Sequence, residues 1–431
     1  MKKLFFLFCL VLPGFFAFPE SSPTLPVDLS LQKWKVPQGG AELSAETDVA
    51  DLPAGSVALH LVAPPKGFVY TASGQLPENL QEMSSFGFRV FRGAEAGKSS
   101  TIDVNFYEQG GRANFWRKIT FDHQGWKEIR IPLAWMRWGK DATPNWKNIR
   151  QLGIYCRDDL DIYLTDFSFH PGPSRPTTAE LQQLAFQDEA ENAVAVESDQ
   201  MLLLTDKTGA DSDAIEAWVA KHLAVVQRDF PSLQADPIRK PVLIVFAGEK
   251  DYRQFPPRFA DMHNSEMSMP TSGGYTFMGV ATSFWNERYG AERPVFGHEF
   301  IHAWLELAAG LPSGSGDWVQ EGIANYVQIE VTPQENLGEI ILMGIEDENL
   351  HLPLQALCSG KQVPMNRYWQ ALSFIRFLKE KYPEQLPELF AAIQETRKTD
   401  LALHLNILGT DWPGLTREWK AWCRETYAPV P

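Results

Sequence analysis

The chain has 431 residues, of which 44% are hydrophobic and 22% charged, and its formal charge is −15. That length exceeds what one ordinary core organises, so two or three domains of a soluble globular protein are expected. The acidic balance, with no Lys/Arg cluster to offset it, argues against nucleic acid as a partner.

The chain opens on "MKKLFFLFCLVLPGFFAF", with Lys2 and Lys3 ahead of an apolar run broken by Pro13. The run is short of the roughly 20 residues a membrane span needs and reads as a cleaved signal peptide over residues 1–18. The expectation is a secreted or periplasmic protein with no membrane span. Cys9 follows Phe8 and not a small residue, which does not support a lipoprotein anchor. Cleavage leaves Cys156, Cys358 and Cys423, too few and too scattered for a disulfide framework or a metal motif. They read as buried small hydrophobes.

From residue 27 to 170, short runs of β-branched and aromatic residues alternate with turn signals. They include "SVALHLVA", "FGFRVFRG", "STIDVNFYE", "ANFWRKITFD", "WKEIRIPL", "LGIYCR" and "DIYLTDFSF". Alternation such as Ile102, Val104 and Phe106 predicts half-buried strands, and seven or more of them without a long helix predict a sandwich. The stretch from "WKEIRIPL" to "IYLTDFSF" resembles the closing half of galactose-binding-like jelly rolls. That resemblance implies a domain that binds carbohydrate or protein. Trp135, Trp138 and Trp146 lie near its loop and can either stack on a sugar ring or close the core. "RDDLD", residues 157–161, reads as a solvated acidic turn more readily than as a calcium site.

Residues 171–180, which are Pro-rich and aperiodic, read as a linker. The texture then changes over residues 181–428. "DAIEAWVAKHLAVVQRDF" has helical spacing, "KPVLIVFA" is a short strand, and "RYWQALSFIRFLKEKY" and "WPGLTREWKAWCRETY" are further helices. This half is expected to be mostly helical with a small sheet. Residues 333–366 form a long connection that is either a lid or an extra subdomain.

The chemistry concentrates in "VFGHEFIHAWLELAAG". On a helix, His298 and His302 sit one turn apart on the same face, so both can reach one zinc ion at about 2.0–2.1 Å. Glu299 is offset sideways, where it can hold a water without displacing a histidine. Glu321, in "DWVQEGIANY", follows His302 after 18 intervening residues. That gap suits a turn and a second packed helix, which would complete a His2Glu site with an open fourth position. Asn325, one turn beyond, can accept a ring N–H from a ligand histidine.

This spacing resembles the gluzincin metallopeptidases, the thermolysin and aminopeptidase-like clan, over roughly residues 180 to 425. The resemblance implies one zinc per chain, peptide-bond hydrolysis, His298, His302 and Glu321 as ligands, and Glu299 as general base. It also implies that Tyr368, opening the helix after the third ligand, hydrogen-bonds the oxyanion. "SGGYTFMGVATSFW", residues 272–285, takes the place of the cleft's edge strand, with Gly273, Gly274 and Tyr275 as substrate-binding positions. It lacks a glutamate to grip a free N-terminus, so an endopeptidase is expected rather than an exopeptidase.

The expectation is therefore multidomain. An all-β jelly-roll sandwich precedes a mostly α (α+β) zincin-like domain, in an exported zinc peptidase acting on a protein or glycoprotein. The alternative is a carbohydrate- or protein-binding protein whose peptidase-like domain no longer turns over substrate.

Overall fold

The computed structural model describes residues 24–93, 99–111, 113–139, 143–233, 238–312 and 316–428, and the expected signal peptide lies outside them. Strands come first: β1 (Leu25–Pro26), β2 (Trp34–Gln38), β3 (Glu42–Glu46), β4 (Ala58–Ala63), β5 (Phe68–Thr71) and β6 (Met83–Arg92). They continue with β7 (Ser100–Glu108), β8 (Asn114–Phe121), β9 (Gly125–Pro132), β10 (Arg137–Trp138), β11 (Ile149–Cys156) and β12 (Leu160–Pro171).

These strands form two antiparallel sheets. One runs β3-β4-β12-β6-β9, with β1 also on β12; the other runs β10-β8-β7-β11-β5-β2. Successive strands cross repeatedly from sheet to sheet, which is the winding of a jelly roll. Period-two alternation decides what is inside. Phe86, Phe88 and Val90 from one sheet meet Ile102, Val104 and Phe106 from the other, all 3% exposed or less. Phe86 and Phe106 touch edge to face across the gap, with ring centroids 5.4 Å apart.

The second half begins with α1 (Thr178–Phe186), whose start is a capping box between Thr177 and Glu180. Since β12 runs to Pro171, only a short segment joins the halves. That segment is tied to the sandwich by Gly172 N–H on the Glu82 carbonyl and Ser174 N–H on the Gln81 carbonyl.

A five-stranded mixed sheet follows, formed by β13 (Val194–Glu197), β14 (Leu202–Thr205), β15 (Val242–Phe246), β16 (Gly274–Phe277) and β17 (Val280–Phe284). Its order is β13-β14-β15-β17-β16; β14, β15 and β17 are parallel, and β16 returns antiparallel on one edge. Every residue of β14 and β15 is buried, as expected of parallel strands covered on both faces. One face carries α2 (Ser212–Asp229) and α4 (Pro294–Leu307), and the other faces α1, α3 (Glu249–Met262) and the sandwich. The sandwich core and this second face form one continuous apolar cluster.

Helix α5 (Trp318–Val331) packs on α4, and α6 (Leu337–Glu346), α7 (Leu354–Leu357), α8 (Tyr368–Lys381), α9 (Gln385–Thr396) and α10 (Trp412–Tyr427) complete the helical half, with α8 on α5 and α10 on α6, α7 and α8. Helices α6 and α7 occupy the long connection. Gln370 of α8 bonds both the N–H and the carbonyl of Leu352, which ties that connection to α8.

Helix α3 was not legible in the sequence because Pro256 and Pro257 lie inside it. Two prolines remove two backbone donors, and the burial of Tyr252, Phe255 and Phe259 offsets the loss.

Candidate functional site

Helix α4 lies over β16 and β17 and turns His298 and His302 toward the first turn of α5. That turn is fixed before Glu321 enters. Asp317 caps α5 by accepting from the N–H groups of Val319 and Gln320, its other oxygen accepts from the Thr399 hydroxyl, and the Trp318 indole donates to the Thr399 carbonyl. Gly322 then allows α8 to come close: a Cβ there would stand 2.9 Å from the Ala371 carbonyl oxygen and 2.5 Å from Ile375. The close approach of α8 carries Tyr368, its first residue, near the Glu321 carboxylate, whose charge joins burial in raising the phenol's pKa.

The structure brings His298, His302 and Glu321 together. The two Nε2 atoms are 3.1 Å apart, and each is 3.7 Å from Glu321 Oε2. A tetrahedral ion with ligands at about 2.0–2.1 Å places its donor atoms about 3.3–3.4 Å apart, so the triangle fits zinc in size as well as in chemistry.

The tautomer fits too. Gln320 donates its amide N–H to the Pro312 carbonyl, which turns its oxygen toward His302 Nδ1 at 3.1 Å. Nδ1 therefore carries the proton and Nε2 keeps its lone pair for the cluster. The expected role of Asn325 is corrected here. Its amide reaches back to the Glu321 carbonyl at 2.7 Å and toward the Glu321 carboxylate, because it lies one turn further along the same helix. The histidine partner is Gln320.

The cluster is buried, which governs its charges. Burial, reinforced by His302 and His222, holds the His298 imidazole well below its ordinary pKa, in the neutral form. At His302 burial acts in the same direction, but the carboxylates of Glu321 and Glu299 outweigh it and the pKa rises. Burial also raises Glu321, although His302 and the Tyr368 hydroxyl oppose it. Glu299 is pushed up to about 7 by burial, against the pull of His302 and a hydrogen bond from Thr276.

Thr276 is a residue the sequence analysis missed. Its hydroxyl lies 2.8 Å from Glu299 Oε2 and 2.9 Å from the Glu299 carbonyl oxygen. The strand carrying it comes this near because of Gly274, where a Cβ would lie 2.6 Å from Glu299 Oε1. Gly274 is buried against Glu299, Gly273 accepts from the Ser283 hydroxyl, and Tyr275 is half-buried, its phenol raised by burial first and by Glu299 next.

In the sandwich, the three candidate tryptophans take the core alternative and not sugar stacking. Trp135, Trp138 and Trp146 are 2%, 3% and 8% exposed, and all belong to the core. Trp146 stacks on Phe115 at 4.0 Å, and Trp138 donates its indole N–H to Glu306 of α4 at 2.8 Å, locking the domains together. In the acidic turn at 157–161, Arg157 pairs with Asp103 at 2.7 Å.

The open polar surface is elsewhere, on the outer face of the sheet containing β7. A cleft of about 610 Å3 is lined there by Lys66, Phe68, Asp103, Asn105, Tyr107 and Tyr155. Trp116 lies directly across from Asn105 in the ladder, half-buried. The signal was present in the sequence: if Ile102, Val104 and Phe106 point inward, then Asp103, Asn105 and Tyr107 must share the other face.

No protein-family model matches this sequence and no curated protein matches it. Among solved structures, similarity extends to the family 11 carbohydrate-binding module of the cellulosomal cellulase Lic26A-Cel5E of Clostridium thermocellum. The two are 14% identical, covering 35% of this chain and 95% of that one at a TM-score of 0.27. The CBM22-1 xylan-binding domain of Paenibacillus barcinonensis Xyn10C is 12% identical, covering 37% and 100% at 0.26. An exo-beta-agarase is 13% identical, covering 50% and 32% at 0.29. No helix among the described residues is long and apolar enough to cross a membrane.

Proposed function

We propose that this chain is an exported zinc-dependent peptidase, an endopeptidase acting on a protein or glycoprotein, whose sandwich domain holds carbohydrate. The observation that carries the reading is the donor triangle of His298, His302 and Glu321, with the Glu299 carboxylate beside it on the same helix.

A zinc ion held by those three side chains supplies Lewis acidity at a scissile carbonyl. Glu299 takes a proton from the attacking water and returns it to the leaving nitrogen. Thr276 holds the Glu299 carboxylate in place, its hydroxyl 2.8 Å from Oε2. Tyr368, already at the cluster, donates to the oxyanion as negative charge develops. Because β16 is an edge strand, an extended peptide can add to it, and the absence of a glutamate from residues 272–285 favours internal cleavage. On the sandwich, the rings of Phe68, Tyr107 and Tyr155 offer stacking surface, and the exposed Lys66 ammonium offers hydrogen bonds to sugar hydroxyls.

The test is zinc per chain, by elemental mass spectrometry on purified protein. About one equivalent in the wild type, lost in His302→Ala, supports the reading. No zinc after refilling with metal would sink it, leaving a non-catalytic binding protein as the better account.

A further inference from the structure

Away from the metal cluster, the junction between the two halves encloses a cavity of about 290 Å3, near the lower bound of small-molecule sites. Its walls are apolar: Leu181 of α1, Leu202 of β14, Val242 of β15, Phe259 of α3 and Val280 of β17. Ala134 of the sandwich and the connecting segment from Pro173 close the remaining side.

Three cations share this lining, Arg175, Arg239 and Lys240, against one carboxylate, Glu197. Lys240 Nζ pairs with Glu197 at 2.8 Å, so that carboxylate is already matched. Arg175 stands exposed at the rim. Arg239 cannot swing away: it donates to the Met278 carbonyl at 2.7 Å, and its guanidinium lies over the Trp138 ring at 4.2 Å. The carboxylate nearest in its influence, Glu306, is committed to the Trp138 indole and the Gly279 N–H.

Two guanidinium groups thus stand at one apolar chamber, Arg239 half-buried with Glu306 behind it and Arg175 exposed at the mouth, and the lining itself carries three cations to one carboxylate. We infer that the cavity binds a small organic anion with an apolar body, such as a medium-chain or aromatic carboxylic acid. The acid group meets Arg175 and Arg239, and the body packs against the Leu202, Val242 and Val280 wall. Both parts are needed. Inorganic anions lack the apolar contact, and neutral or cationic amphiphiles lack the charge match. The chamber lies on the domain junction, so its ligand also bridges sandwich and helical half.

The test is calorimetric titration of the full chain with octanoate and indole-3-acetate, with octylamine as the charge-reversed control. One saturable equivalent of either acid is expected, and none of octylamine. Arg239→Gln should weaken binding about tenfold or more, and Arg175→Glu, an exposed change that leaves the core intact, by several-fold. Val280→Trp, which fills the chamber, should abolish it. Octylamine binding as well as the acids, neither acid saturating, or acid binding unaffected by both arginine variants would overturn the inference. Zinc content plays no part in these readouts, so the metal-site reading stands or falls separately.

Discussion

The cluster of His298, His302 and Glu321 and the open sandwich cleft are both polar, yet they are built in opposite ways. In the helical half, His298, Glu299 and Glu321 are each less than 10% exposed, and the two Nε2 atoms face each other at 3.1 Å. In the sandwich, Phe68, Tyr107 and Tyr155 stand half in solvent over an apolar core that is complete without them. A buried cluster whose lone pairs converge needs a partner to be stable, whereas a decorated sheet face does not. Change should therefore be costly to chemistry and fold at the first, and to binding alone at the second.

The largest effect expected is at Glu299. Glu299→Gln keeps the size and the Thr276 contact but removes the carboxylate proposed as the base, so the proposed peptide hydrolysis should fall by about 10²–10⁴-fold with the proposed zinc still bound. Progress curves on a peptide library, paired with metal analysis of the same preparation, check it. Wild-type turnover in the variant would break the assignment of the base. Tyr368→Phe should lower kcat by about 10²-fold with little change in KM. An unchanged kcat would reduce Tyr368 to a prop for Glu321.

Next comes the acid limb of stability, which is set at the domain junction. His263, 2% exposed, packs among Trp135, Trp138 and Phe259, with Nδ1 3.3 Å from the Met136 carbonyl oxygen. Burial first, then Arg239, pushes its pKa down to about 3. The unfolded chain takes up this proton near pH 6.5 and the folded one does not, so the contribution is complete above 6.5 and is lost as pH falls toward 3. By pH 5 the loss should reach about 2 kcal/mol. Urea melts of the wild type and of His263→Phe, at pH 7 and pH 5, should differ in slope by that amount. Parallel slopes would show that His263 is not the group responsible.

What the sequence could show follows from how far each contact reaches along the chain. His298, Glu299 and His302 are legible because helical spacing alone puts them on one face. Glu321 is legible because a short turn between packed helices admits few arrangements. Thr276 and Gln320 were not, since their roles depend on a strand edge and a neighbouring helix meeting α4 in space. The tryptophans were left open between sugar stacking and the core for a related reason. Loop proximity suggests exposure, but Trp138 is buried by the helical half, which composition within the sandwich cannot reveal. Alternation identified the strands well, and its complementary positions, followed through, mark the cleft face.

A smaller effect is expected at the link between the halves. Trp138→Phe keeps an aromatic ring, a smaller one, and removes the N–H that Glu306 accepts, leaving a buried carboxylate oxygen with one donor fewer. The expected loss is about 1–3 kcal/mol. Glu306 also accepts from the Gly279 N–H in the turn between β16 and β17, so the variant should loosen that hairpin. Thermal melts with hydrogen exchange at residues 274–284 check both. A melt shifted without faster exchange there would confine the role of Trp138 to docking.

The smallest effect on the fold belongs to the cleft face, and there the comparison becomes sharpest. Tyr155→Ala and Tyr107→Ala remove half-exposed rings from β11 and β7 while leaving Ile154 and Phe106 in the core behind them. Stability should change by no more than about 0.5 kcal/mol for either. Retention on insoluble polysaccharides, or affinity in a soluble-glycan gel shift, should fall by about tenfold or more, as expected when a stacking ring is lost. Unchanged retention with an unchanged melt would strip the cleft of its carbohydrate role. A large drop in stability would mean that the two polar regions do not differ in the way their burial implies, because the face would then be part of what holds the sandwich together.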